Sequence, residues 1–362
     1  MVTLDVLEDG VPATLWSAEL EALTLVPATR VTAARVQHFK AQLLERAKPH
    51  LRDVIALATG LIAPERPYRL IQRGDWHGDK CVFEIEPHGL FLKPKRRGAE
   101  QLIYGNFADL MTDCLGRDLR VQFHRVGDFM VQESLAHEPS PVEWRSTGLV
   151  LGAIFMLGVT DLNFENFRVH LGVPVPIDVE CALDFDFYGH ESQAVILRRL
   201  REQTRAIEMS FLGPSHPGQF APPEFVEAFL EGATFAREAL SRALPDSTAL
   251  DGLFLRRVIL PTRVYLNFIQ RNALFAWGAE KALKRWQDLR ATSAASALVA
   301  AEARALLTGN VPFFHQQGAN FLDGADGSRL LELSCPVSTQ VEQWVGRWSD
   351  ADLHRLAKAL AE

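Results

Sequence analysis

Two short β-prone runs, Cys81-Val82-Phe83-Glu84-Ile85-Glu86 and Gly89-Leu90-Phe91-Leu92-Lys93, flank Pro87-His88-Gly89. Branched and aromatic residues on either side of turn formers are the composition of a hairpin, so a sheet begins here. From Gly98 to Cys114 the apolar residues Leu102, Ile103, Phe107, Leu110 and Met111 fall near one helical face, and strand-like Leu119 to Phe123 and Phe129 to Glu133 follow. Upstream, Val31 to Ile62 has apolar residues at helical spacing and reads as one or two helices covering something larger. Pro139-Ser140-Pro141 then separates this region from an apolar helix, Thr147 to Leu157, which sets a boundary near residue 140. Beyond it the chain reads as mainly helical, over Gln193 to Ile207, Glu224 to Ala243, Leu255 to Gln270, Leu274 to Leu289, Ser293 to Leu307 and Asp350 to Leu360, with a Gly/Pro loop at Gly213 to Pro223.

With 362 residues, 48% of them hydrophobic, the chain can bury a sizeable core. Its 38 Lys and Arg against 45 Asp and Glu leave a formal charge of -7, which argues against a general nucleic-acid or anionic-membrane binder. The longest apolar stretch, Leu149 to Leu157, is interrupted by Gly152 and is far shorter than the roughly 20 residues that span a bilayer. Membrane insertion is therefore not expected. Met1 to Leu20 mixes Asp5, Glu8, Asp9 and Glu19 into its apolar residues and has no basic start, so it does not read as a signal peptide and a cytoplasmic location is expected. Cys81, Cys114, Cys181 and Cys335 form no CxxC pair and no zinc-like spacing, and read as reduced, packed thiols.

The segment richest in chemistry is Gly158-Val159-Thr160-Asp161-Leu162-Asn163-Phe164-Glu165-Asn166, followed by Pro174-Val175-Pro176-Ile177-Asp178-Val179-Glu180. Phosphoryl transfer needs a carboxylate near the attacking hydroxyl, an amide and a second carboxylate to hold magnesium, and a cation on the nucleotide phosphates. Asp161 and Asn166 have the five-residue spacing of a kinase catalytic loop. Asp178 stands at the end of a short apolar strand where a metal-binding Asp belongs. Asp161 is then the base, with Asn166 and Asp178 as metal ligands. The plain alternative is an Asp/Asn-rich turn between helix and strand. Against it, Asp178 lies between Ile177 and Val179, where a charge is costly without a partner, and Lys93 occupies the upstream position of a phosphate-binding cation. Glu100 is one candidate to orient Lys93. The order strand, strand, helix, strand, strand is that of a kinase small lobe. The expected fold class is α+β and bilobal, of protein/lipid-kinase type, with a small β-rich lobe and added helices over residues 1–140 and a mainly helical lobe over 141–362.

These segments resemble the dehydratase domain of the LanM-type, class II lanthipeptide synthetases. Gly74-Asp75-Trp76-His77 is similar to the family's GDxH, Leu92-Lys93-Pro94-Lys95 to its YKPR, Thr160 to Asn166 to its TDLHxEN, and Ile177-Asp178-Val179-Glu180 to its IDxE. Further on, Arg256 with Pro261-Thr262-Arg263-Val264-Tyr265 resembles its R(x)5T segment with a following Tyr, and Gly309-Asn310-Val311-Pro312-Phe313-Phe314 its GDIPYF. The resemblance implies an ATP- and Mg2+-dependent phosphorylation of Ser or Thr in a precursor peptide, then β-elimination of phosphate to dehydroalanine or dehydrobutyrine in the same cleft. It implies that Lys93, Asp161, Asn166 and Asp178 serve the kinase half, with Lys95 beside the nucleotide. By the same resemblance Asp75, His77, Arg256 and Thr262 serve the elimination half. An imidazole and a carboxylate near an arginine fork suit the removal of an α-proton and the departure of phosphate.

The chain departs from the pattern at Asn163, where the family has a histidine that bears on phosphoryl transfer, at Leu260, where it has an arginine, and at Lys95. It is much shorter than a full synthetase and carries no cyclase region, so ring closure is expected from a separate enzyme or not at all. Two other readings stay open: a peptide kinase that stops at phosphopeptide, or another phosphotransferase. A third, of a different class, is a nucleotide-binding pseudoenzyme acting as a peptide-docking subunit.

Overall fold

A computed structural model describes residues 2–4, 30–63, 66–95, 98–135, 143–160, 166–185, 222–260, 262–275, 279–290, 296–317, 320–333 and 335–361. The fold is mixed α+β. Its first sheet contains β1 (Val2–Leu4), β2 (Tyr68–His77), β3 (Lys80–Glu86), β4 (Leu90–Lys93), β5 (Phe123–Val126) and β6 (Phe129–Glu133), in the order β1-β2-β3-β4-β6-β5. Every pairing is antiparallel except that of β1 with β2. The hairpin read from residues 81–93 is β3 and β4, with Phe83 opposite Leu92. Gly89 closes its turn at a φ of 62°, a conformation in which a Cβ would be strained.

Alternation along β3 buries Cys81, Phe83 and Ile85 on one face. Helix α1 (Arg30–Leu61) covers that face with Leu43, Ala47, Leu51, Val54 and Ala58, a row at helical spacing. His50 ties the two layers together: its Nε2 takes the N–H of Cys81 at 3.1 Å, and its ring stacks on Phe129 at 5.8 Å.

A second core gathers around α2 (Glu100–Leu115), α3 (Trp144–Met156) and α4 (Pro223–Ala243). It draws Ile103, Phe107 and Met111 from before residue 140 and Leu149, Phe155 and Phe229 from after it. Helices α3 and α4 touch backbone to backbone. A Cβ at Gly152 would lie 2.0 Å from the Phe229 carbonyl oxygen, and one at Gly232 would lie 2.1 Å from that of Leu149. Main chain cannot move aside as a side chain can, so Gly152→Ala forces the helices apart and is expected to cost about 1–3 kcal/mol. Gly105 in α2 has nothing within 4 Å of its Cβ position, and Gly105→Ala is expected to be neutral or stabilising by up to about 1 kcal/mol. Urea unfolding of the two variants checks the pair, and equal stabilities would contradict the close approach.

Downstream come the hairpin of β7 (Phe167–His170) and β8 (Val173–Pro176), then α5 (Ser247–Asp251), β9 (Leu255–Arg257), α6 (Thr262–Phe275), α7 (Ala279–Arg290) and α8 (Ser296–Leu307). The chain finishes with β10 (Phe314–Gln316), β11 (Phe321–Gly324), β12 (Arg329–Glu332), α9 (Val337–Arg347) and α10 (Asp350–Ala361). Helices α6, α7 and α8 meet around buried Glu302, which accepts from Tyr265 Oη at 2.9 Å, Trp286 Nε1 at 3.0 Å and Arg290 Nε at 3.1 Å. Its desolvated charge is thus fully paired.

Three expectations are corrected. The strand placed at Leu119 to Phe123 begins only at Phe123, because Leu119 and Val121 turn into the second core instead of pairing. The helix placed at Leu255 begins at Thr262, since residues 255–257 pair with β10. The mainly helical second part also contains a four-stranded antiparallel sheet, in the order β12-β11-β10-β9. The helix expected over Gln193 to Ile207 lies outside the described residues. Among the described residues no helix is long and apolar enough to cross a membrane. Cys81 and Cys181 are buried, Cys114 and Cys335 half-buried, and no disulfide joins them.

Candidate active site

The β7–β8 ladder continues one step past its last pair, where Ile177 N–H donates to Asn166 O at 2.8 Å. Asn166 and Asp178 are thereby held at neighbouring positions. The carbonyl of Ile177 in turn accepts from Lys93 Nζ and from Gln132 Nε2, each at 3.1 Å, so β4 and β6 are both fastened to the segment that carries Asp178, which lies two residues past the end of β8 rather than in the strand. Beyond the end of β8 at Pro176 the chain runs on irregularly, with Asp178 and Glu180 both turned toward Lys95 and Val179 between them buried.

Lys93 and Lys95, two apart, both reach that segment. Lys95 Nζ lies 3.1 Å from Asp178 Oδ1, 2.8 Å from Glu180 Oε2 and 3.7 Å from Glu100 Oε1. Burial works to lower the lysine's pKa, but the carboxylates of Asp178, Glu180 and Glu100 outweigh it and hold the group well above its usual range. Lys93 Nζ is 3.8 Å from Asp178 Oδ1, and here burial prevails over that carboxylate, so its pKa falls. Glu100, expected to orient Lys93, makes its ion pair with Lys95. It opens α2, where the helix dipole favours a carboxylate. Asp178 is 30% exposed in its side chain, against 8% for Lys93 and 7% for Glu100. The cluster therefore meets solvent at Asp178.

Glu180 links this group to a second one. Its Oε1 accepts from Arg256 Nη1, and Arg256 Nη2 donates to His77 Nε2 at 3.3 Å. The fork is placed by strand register: Arg256 pairs with His315, so its side chain leaves β9 opposite to that of Arg257. Arg257 is buried on the far side, donating to Ala182 O at 3.0 Å and Gln316 Oε1 at 2.9 Å. Burial alone would raise the Glu180 pKa, but Arg256 and Lys95 hold it well below the carboxylate range.

His77 ends β2 and its Nδ1 is 3.1 Å from Val311 O. A guanidinium only donates, so Nε2 accepts and Nδ1 carries the proton. Burial, with the Arg256 charge beside it, lowers the imidazole pKa to about 3. The segment 310–311 is itself pinned, through Val311 N–H to Trp76 O at 2.8 Å and Asn310 Nδ2 to Asp79 Oδ1 at 2.8 Å.

A neutral histidine in the fold has a pH consequence. The His77 pKa is depressed when folded, so its contribution is present above the unfolded value of about 6.5 and is lost as pH falls toward about 3. Buried His50, also lowered, acts in the same direction. Between about pH 6 and pH 4 His77 adds about 1.4 kcal/mol of stability loss per pH unit. His77→Asn is expected to remove one such increment from the slope of unfolding free energy against pH, and an unchanged slope would contradict the neutral assignment.

The structure thus brings together Lys93, Lys95, Glu100, Asp178, His77 and Arg256, with Asn166 alongside. Asp75 lies in β2 where the register shifts between Arg73 and His77. Thr262 is half-buried at the start of α6, and among the described residues no hydrogen bond joins it to the cluster. Asp161 and Asn163 lie outside the described residues. Three members had no role assigned from sequence: Glu180, quoted only as part of the IDxE-like segment, and Gln132 and Tyr104. Glu180 had a signal, a second charge two residues from Asp178 across an apolar Val179. Tyr104 sits one turn along α2 from Glu100. It is buried, and burial together with the Asp178 charge pushes its pKa well up. Neither its hydroxyl nor Gln132 Oε1 has a hydrogen-bond partner among the described residues.

Among the described residues no group of three or more His, Cys, Asp and Glu is arranged to hold a metal, since Glu100, Asp178 and Glu180 converge on an ammonium. Magnesium keeps several waters and takes one or two carboxylates plus phosphate oxygens. Half-open Asp178 offers one carboxylate to such a set, and the backbone ladder brings Asn166 opposite the residue before it. Compared with known proteins, the chain matches no family model and no curated protein.

Proposed function

We propose that this protein is an ATP- and magnesium-dependent enzyme that phosphorylates Ser or Thr in a peptide and then eliminates the phosphate, after the manner of the LanM-type dehydratase domain. The observation that supports it is the single polar row Asp178, Lys95, Glu180, Arg256 and His77, assembled from separated segments that each carry one of the resembling motifs. The proposed architecture is the kinase-like, bilobal one, with residues 1–140 and 141–362 as its lobes.

Asp178 and Asn166 are the residues that would hold magnesium, and Lys93 and Lys95 the cations facing the nucleotide. Bound there, ATP and magnesium supply the phosphoryl group and neutralise its charge. Asp161 orients the peptide hydroxyl and accepts its proton. In the second half-reaction Arg256 grips the phosphate of the modified side chain. As the guanidinium turns its donors to that phosphate, His77 Nε2 is released, and the added negative charge raises its affinity for a proton. The imidazole takes the α-proton, the C–H electrons form the Cα=Cβ bond, and the Cβ–O electrons leave with the phosphate. Partners are the precursor peptide and a separate cyclase or other maturation enzyme.

A second reading, a peptide kinase without elimination, is favoured by one observation: both His77 nitrogens are engaged and its basicity is low. Incubation with ATP, magnesium and a synthetic Ser- and Thr-rich peptide, followed by peptide mass, separates the readings. Loss of water is expected. Gain of phosphate alone marks the kinase, and an unchanged peptide that still binds marks a docking subunit.

A further inference from the structure

We infer that Glu180 is a positioning residue that joins the two halves of the site, holding Lys95 with one carboxylate oxygen and Arg256 with the other. The assignment of halves rests on the function proposed above, but the joint itself rests on geometry. Glu180 Oε2 is 2.8 Å from Lys95 Nζ, and its Oε1 accepts from Arg256 Nη1. The two cations come from different sheets. Lys95 follows β4 of the first sheet, and Arg256 lies in β9 of the four-stranded one.

Charge compensation of Lys95 does not require Glu180, because Asp178 and Glu100 already stand 3.1 and 3.7 Å from its ammonium. What Glu180 adds is a fixed separation between Lys95 and Arg256, one carboxylate wide. Its own backbone is anchored by Val179, which is 1% exposed. Through Arg256 the constraint continues to His77 and on to Val311.

The chemistry of the side chain supplies the test. A glutamine at this position keeps one acceptor oxygen but presents an N–H to the other cation, so it can serve only one of the two. An aspartate keeps the charge but is one methylene short, and with its backbone fixed it cannot span both. Two reactions are followed separately in Glu180→Gln and Glu180→Asp. One is modification of a Ser- and Thr-rich peptide with ATP and magnesium; the other is phosphate release from a synthetic phosphoserine peptide without nucleotide. Both variants are expected to lose roughly 10- to 100-fold in both reactions, the usual effect of removing a group that orients a reactive one. A loss confined to one reaction, or full recovery in Glu180→Asp, would overturn the joint.

A measurement without substrate stands beside these. Unfolding equilibria of the parent, Lys95→Met, Arg256→Met and the double variant are expected to depart from additivity by about threefold or more, and to be additive to within about twofold once Glu180→Gln is in place. Additivity in the parent would overturn the inference. If the unsubstituted protein catalyses neither reaction, the functional reading falls, and this cycle alone decides whether Glu180 couples the two cations.

Discussion

Arg256→Ala is expected to leave phosphopeptide where the unsubstituted enzyme leaves dehydrated peptide. The guanidinium is the one described group able to present two parallel donors to a phosphate at the His77 end of the cluster. Removing a donor that stabilises developing negative charge typically costs on the order of 2.7–4 kcal/mol, or roughly 10² to 10³ in rate. That is enough to expose an intermediate that otherwise decays too quickly to see. The fold should survive, because Glu180 keeps Lys95 and His77 keeps its bond to Val311. If Arg256 were only a structural partner of Glu180, the variant would unfold more easily and leave the product mixture unchanged. Mass spectra of the peptide decide it: added phosphate in place of lost water supports the assignment. Unchanged dehydration would sink it, and an unmodified peptide would move Arg256 into the first half-reaction.

Asp178→Ala is expected to abolish phosphorylation. Asp178 is the most exposed carboxylate of the cluster, and the Ile177 carbonyl fixes its segment to Lys93 and Gln132. Losing a metal-binding carboxylate removes charge stabilisation at the transferring group. Lys95 retains Glu180 and Glu100, so the cluster does not collapse for want of a counter-charge. Turnover near that of the unsubstituted protein would remove Asp178 from the site.

How much of this was legible in the sequence depended on whether the signal was local. The β3–β4 hairpin and α1, α2, α4 and α10 follow from periodicity and turn chemistry within a few residues. The sheet of β9 to β12 does not, because its strands are three or four residues long and each is defined by a partner far along the chain. Leu255 to Arg257 even carries an apolar spacing that runs into α6 and so reads as helix. In the site, Lys93 and Asp178 were visible because a charge at the end of an apolar strand is conspicuous on its own. Glu180 acquires its meaning from an arginine 76 residues later, and Tyr104 and Gln132 from burial among charges that only the tertiary fold assembles. The Lys95–Glu100 pairing was missed for a related reason, since both lysines lie a few residues before Glu100 and only the folded geometry chooses between them.

The central claim, phosphorylation and elimination in sequence, is tested most directly by a quenched time course of one peptide with ATP and magnesium, read by mass. The account predicts that phosphopeptide rises first and then declines as dehydrated peptide takes its place, with no modification when nucleotide is omitted. Phosphopeptide that accumulates and stays, or a peptide that never changes mass, would contradict it.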